Sequence, residues 1–237
     1  MKKTLLLLLT LLMSNQVLAN EKEINITIGD VAISTTTPKG FYSSSEVNPV
    51  FFAFREFLQP PEGKLLAYLV SEDDYLLLKN NSDPELHTHM SITILKESED
   101  KTLSQKWFDG LRSQVEEQLN KGLSSISEHT KKTISQLTNK IESNFKLEDE
   151  LKIEVGENIL LGIYINQPNA FGFTSMASTS NNFYGESSSR LKVFTTTFNL
   201  IKGKLIYSYV FSTLNTTEDI HWVEEKSKEL VALLNNY

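Results

Sequence analysis

The chain predicts an α+β fold, a mostly antiparallel sheet with a long helical segment and a C-terminal helix packed on it. Strands come in groups instead of alternating one by one with crossover helices, which argues against a parallel sheet. From Ser104 to Phe145, apolar residues recur mostly at three- and four-residue steps, the period of a helix with one buried face. The turn Lys202-Gly203-Lys204 joins the two surest strands, Leu191 to Ile201 and Leu205 to Thr213, as a hairpin.

Residues 1–19 read as a signal peptide. Lys2 and Lys3 precede an apolar run from Leu5 to Met13, and Val17-Leu18-Ala19 supplies small residues before a cut. That run is about half the length needed to cross a bilayer. The expectation is cleavage after Ala19, a periplasmic or secreted location with no stable membrane anchor afterwards, and a single α+β domain over residues 20–237. The chain has no cysteine, which excludes a disulfide scaffold and cysteine catalysis and fits a bacterial envelope. A net charge of −7 argues against nucleic acid and anionic lipid as partners.

Glu23 to Ile28 and Val31 to Thr37 alternate as strands around Gly29-Asp30, and Pro38-Lys39-Gly40-Phe41 then breaks the pairing. Asn48 is an N-cap followed by Pro49 at the first helical position, opening a helix to Leu58 whose Phe51, Phe54 and Phe57 are assigned to the core. Leu65 to Val70 is a short apolar strand. Ser71, with Asp74 at the capping-box position, starts a brief helix to Lys79. His87 to Lys96 alternates again: Met90, Ile92 and Ile94 face one way, His87, His89, Ser91 and Thr93 the other. Gly122 and its neighbouring serines are a plausible break in the long helical stretch, which reads as two helices or one kinked helix. Strands follow at Leu151 to Val155, Ile159 to Ile165 and Ala170 to Met176. Ala177 to Arg190, rich in Ser and Asn, reads as a surface loop. Thr216 and Asp219 form a variant capping box for the last helix, whose Ile220, Val223, Leu230 and Leu234 share a face.

Pro38-Lys39-Gly40-Phe41, the run from Lys64 to Tyr75, and Lys202-Gly203-Lys204-Leu205 leading into Asp219-Ile220-His221-Trp222-Val223 resemble an uncharacterised class of exported bacterial proteins. With the antiparallel sheet and final helix they are loosely similar to the PsbP/DcrB-like α+β group. The resemblance implies an accessory or stability role and transfers no functional residue.

Three constellations stand out. His87 and His89, two apart on a strand, could hold a zinc or copper ion with Glu85 as a third ligand, but the same spacing describes an ordinary solvated strand face, and that reading is preferred. Phe171, Phe173, Met176, Phe183 and Tyr184 stud a polar region, as aromatics of a ligand- or partner-binding surface do; they could equally fold back as a lid on the sheet. Ser104 to Phe145 could serve self-assembly. No nucleophile elbow, phosphate loop or dinucleotide fingerprint is present. The expectation is a non-enzymatic binding or accessory protein without a cofactor, acting on an envelope protein or small ligand. A metal-binding protein or metal-dependent hydrolase built on His87 and His89 is the alternative.

Overall fold

A computed structural model describes residues 23–121, 152–155, 158–183 and 186–236, with side chains for 23–121, 158–178 and 190–236. Its framework is an eight-stranded antiparallel sheet, so the α+β architecture holds. The strands are β3 (Phe41–Ser43), β4 (Gly63–Ser71), β5 (Thr88–Leu95), β6 (Lys152–Val155), β7 (Ile159–Gln167), β8 (Ala170–Phe183), β9 (Glu186–Ile201) and β10 (Lys204–Thr213). Their spatial order is β3-β4-β5-β10-β9-β8-β6, with β7 also paired to β8. A separate hairpin, β1 (Glu23–Ile28) and β2 (Val31–Thr36), turns at Gly29, whose φ of +56° suits a residue without Cβ.

One face of the sheet is the main core. The C-terminal helix α5 (Glu218–Asn235) and the β1–β2 hairpin cover it. Ile24, Ile26, Ile28 and Ile33 from the hairpin meet Met90, Ile92 and Ile94 of β5, Ile206 and Val210 of β10, and Val223, Leu230 and Leu234 of α5. Each such side chain contributes about 1.5–3 kcal/mol by leaving water. Thr35 fastens the hairpin to the helix by donating to the Leu233 carbonyl at 2.9 Å. The expected hydrophobic face of α5 is present, with Ile220 only half-buried. Asp219 accepts from the backbone N–H groups of Asn215 and Thr216 at 2.8 Å each, while the N-cap is Thr217.

The opposite face is covered at both ends. At one end lie α1 (Ser44–Val47), α2 (Pro49–Phe57) and α3 (Glu72–Lys79), packed through Leu65, Tyr68, Val70 and Leu78. Asn48 caps α2 as expected, its side chain accepting from the Phe51 N–H at 2.9 Å. Ser71 caps α3, accepting from the Asp74 N–H at 3.3 Å and donating to its carboxylate at 2.9 Å. At the other end α4 (Gln105–Asn120), capped by Ser104, buries Phe108 and Leu119 against Phe171 and Leu205. Residues 122–150, where the break in the long helical stretch was expected, lie outside the described residues.

Several expectations are corrected. Nothing in α2 is fully buried: Phe54 is 42% exposed, while Phe51, Phe52 and Phe57 are half-buried, Phe51 and Phe52 packing against Tyr68 and its neighbours, because a short helix lying on the sheet turns only part of its surface inward. In α4, Trp107, the first apolar residue of the helical pattern that opens at Ser104, stays outside while Phe108 takes the core position. The supposed loop from Ala177 to Arg190 is mostly strand: β8 and β9 stay in register out to Phe183 opposite Glu186. Backbone groups alone make those ladder bonds, so Ser and Asn side chains with little to bury do not interrupt them.

Lys204 is a further exception to pattern. It begins β10 and is 1% exposed. Its ammonium donates to the Glu99 carbonyl at 2.9 Å and the Lys101 carbonyl at 3.2 Å, with Asp30 at 3.5 Å. A buried cation is tolerated only when its donors are met in this way.

Candidate functional site

Between the two covered ends, the second face of the sheet opens into a cavity of about 800 Å³. That is within the usual range for small-molecule sites, roughly 300–1,000 Å³. Strand alternation builds its wall. On β10, Tyr207, Tyr209 and Phe211 point into it, while Ile206, Ser208 and Val210 are buried towards α5. On β9, Phe194, Thr196 and Phe198 line it, while Val193 joins the core on the far side. Phe173, Ser175 and Ala177 continue the wall on β8.

A bulge sets the phase of β4. Leu65 lies opposite Thr93, but the register slips at the next residues so that Tyr68 faces Ser91 and Val70 faces His89. Without that slip Tyr68 would point into the core and Ala67 into the cavity.

The rings form a cross-strand ladder. Tyr68 stacks on His89 at 5.3 Å and 20°, His89 on Phe211 at 4.6 Å and 14°, and Phe211 on Phe194 at 5.6 Å and 27°. His89, Phe211 and Phe194 are directly opposed in the β5–β10–β9 register. Phe198 packs edge-on against Tyr207 at 5.3 Å. Such aromatic pairs are worth about 0.5–1.5 kcal/mol beyond burial.

Polar groups gather at the β4–β5 side. Arg55 of α2 lies over the Tyr68 ring, its guanidinium carbon 4.6 Å from the centroid. Its Nε, the Tyr68 hydroxyl and His89 Nδ1 are all buried without a hydrogen-bond partner among the described residues. Burial pushes the Tyr68 pKa up to about 12, against the nearby Arg55 charge that draws it down. Burial, reinforced by the charges of Arg55 and Lys192, holds His89 well below its ordinary value, so the ring is neutral. Burial also raises Tyr209 to about 12, Tyr207 adding to it. Lys192, half-buried, donates to the Leu86 carbonyl at 3.2 Å and to Thr213 Oγ1 at 3.3 Å. Its pKa is lowered by burial first, then by Arg190 and Arg55. Leu86 presents that carbonyl from a left-handed conformation, φ 52°, costing about 1–2 kcal/mol for a residue with Cβ.

No family model and no curated protein sequence matches this chain. Two solved structures are similar to it. A point mutant of the protein Mog1 aligns at 13% identity and a TM-score of 0.36, over 91% of this chain and 97% of that one. The Ran-binding protein Mog1p of Saccharomyces cerevisiae aligns at 13% identity and a TM-score of 0.31, over 91% and 92%. Likeness at that level carries no argument about what this chain does. The neighbours found are nevertheless Mog1 and not the exported PsbP/DcrB-like group, and that resemblance is corrected accordingly. The periplasmic or secreted localisation and the signal-peptide reading find no support in these neighbours and are withdrawn with it; residues 1–19 lie outside the described residues.

The residues singled out from sequence are scattered. Glu85 and His87 do meet, at 2.8 Å, but both are exposed, whereas His89 is buried in the ring ladder. Among the described residues no three His, Asp or Glu side chains gather to hold a metal ion. Phe173 lines the cavity, and Phe171 is buried beneath α4. Met176 is half-buried in β8 and is not among the cavity residues. The Phe183 side chain and all of Tyr184 are outside the described residues. His89, Ser91 and Thr93 face the cavity, correcting the solvated-strand reading. Sequence reasoning missed Phe194, Phe198, Tyr207, Tyr209 and Phe211. The available signal was three aromatics at every second residue of β10, on the side a solvated strand would leave polar.

Proposed function

We propose that this chain is a non-enzymatic binding protein whose site is the aromatic cavity. The observation that carries the reading is the cavity itself: rings from β4, β5, β8, β9 and β10 around a volume fit for one small, mostly apolar ligand. Chemistry is disfavoured by the titration of its wall. A general acid or base works best with a pKa near the operating pH. Here burial moves His89 down and Tyr68, Tyr207 and Tyr209 up, each towards its neutral form. Stacked, neutral rings hold an apolar body and leave its bonds alone.

The test is titration of the full chain with Nile red, a neutral dye that brightens in apolar surroundings. Saturable binding at one site is expected, and Thr196→Trp, which fills the cavity from a half-buried position on β9, should abolish it while thermal unfolding stays cooperative. Absence of saturable binding, or binding indifferent to Thr196→Trp, overturns the reading.

A further inference from the structure

The polar end of the cavity is not explained by holding a wholly apolar ligand. Three donors converge there without adequate acceptors. Arg55 makes no ion pair among the described residues, and its Nε is buried and unpartnered while its cationic face lies on Tyr68. The Tyr68 hydroxyl, on a residue 2% exposed, has no acceptor among the described residues either. Among the described residues Lys192 bonds a carbonyl and a hydroxyl but no carboxylate. Buried donors left unpaired cost about 1–3 kcal/mol each, more when charged.

Asp74 forms no ion pair with these donors among the described residues. Asp74 is buried close enough for its charge to be felt at Tyr68 and Lys192, but its own oxygen accepts from Ser71 at 2.9 Å. Among the described residues, therefore, no carboxylate meets these donors.

We infer that the cavity takes an amphipathic carboxylate, its hydrocarbon body among Phe173, Phe194, Phe198 and Phe211 and its head group at Arg55, Tyr68 and Lys192. Guanidinium matches the two oxygens of a carboxylate in one plane. A phosphate dianion fits less well, because the charge of Asp74 reaches Tyr68 and Lys192 and would repel the second charge. This inference rests on the cavity being a binding site and adds the class of ligand.

Calorimetric titration of the full chain with dodecanoate, dodecanol and dodecyl phosphate tests it. Dodecanoate should bind about tenfold tighter than the alcohol, the scale of one charge-assisted hydrogen bond, and tighter than the phosphate. Arg55→Gln should erase the advantage over the alcohol, weakening dodecanoate about tenfold more than dodecanol. Lys192→Met is the second variant, expected to reduce the advantage in part. Equal affinity for acid and alcohol, a preference untouched by both variants, or a preference for the phosphate overturns the inference while the cavity reading stands. If none of the three ligands binds, both fall.

Discussion

His89 and Phe211 lie ring on ring, centroids 4.6 Å apart and planes within 14°, at directly opposed positions of β5 and β10. The contact makes a histidine part of an aromatic wall, and it works only while the imidazole is neutral. Protonation would place a charge in a buried site already facing Arg55 of α2 and Lys192 of β9, with the Tyr68 ring of β4 as its other neighbour.

That arrangement predicts a pH dependence of stability. The folded-state pKa of His89 is depressed below the unfolded value of 6.5. Below that pH the unfolded chain binds a proton that the folded chain refuses, so stability falls as pH falls, by up to about 1.4 kcal/mol per pH unit until the folded pKa is reached. Urea unfolding between neutral and mildly acidic pH should show this component in the wild type. His89→Phe should lack it, keeping the stack without the titration. Identical slopes in the two proteins would rule out the protonation account.

Asn48 positions the cavity from outside it. Its side chain accepts from the Phe51 N–H at 2.9 Å and its amide reaches the Leu78 carbonyl at 3.4 Å, so it fixes the start of the helix carrying Arg55. Asn48→Ala should lower stability by about 1 kcal/mol, the usual worth of an N-cap. Dodecanoate affinity should drop by less than in Arg55→Gln, with dodecanol affinity unchanged. A loss of both affinities in parallel would mean that α2 roofs the cavity without orienting the arginine.

Lys204→Met tests whether the buried ammonium is structural. The substitution keeps most of the side-chain volume but leaves the Glu99 and Lys101 carbonyls without their donor. A loss of about 1–3 kcal/mol in urea unfolding is expected. Nile red binding should persist, since Lys204 does not line the cavity. A neutral effect on stability would show that water replaces the amine.

Local signals of the fold were legible. Asn48-Pro49, Ser71 with Asp74, and Ser104 each start the helix they predict, because a cap is a contact within four residues. Lys202-Gly203 turns the β9–β10 hairpin with both residues at positive φ, 49° and 79°, the conformation of a tight hairpin turn. The site was legible only in fragments. Phe173 was singled out for its place in a polar stretch, and His89 for a metal it has no third ligand to hold among the described residues.

By itself, the order of residues determined the α+β class, the antiparallel strand grouping, the helix starts and the two faces of β5, all of which follow from periodicity and short-range hydrogen bonding. Only the tertiary structure decided that the polar-looking face of β5 is a cavity wall. Strand alternation states that two residues share a side but not what lies on that side. Tyr68, His89, Phe211 and Phe194 come from four strands, and a bulge in β4 sets the phase of the first. The Leu65 to Val70 run is apolar throughout, so nothing in its pattern marks where the phase slips; pairing against Thr93 and Ser91 does.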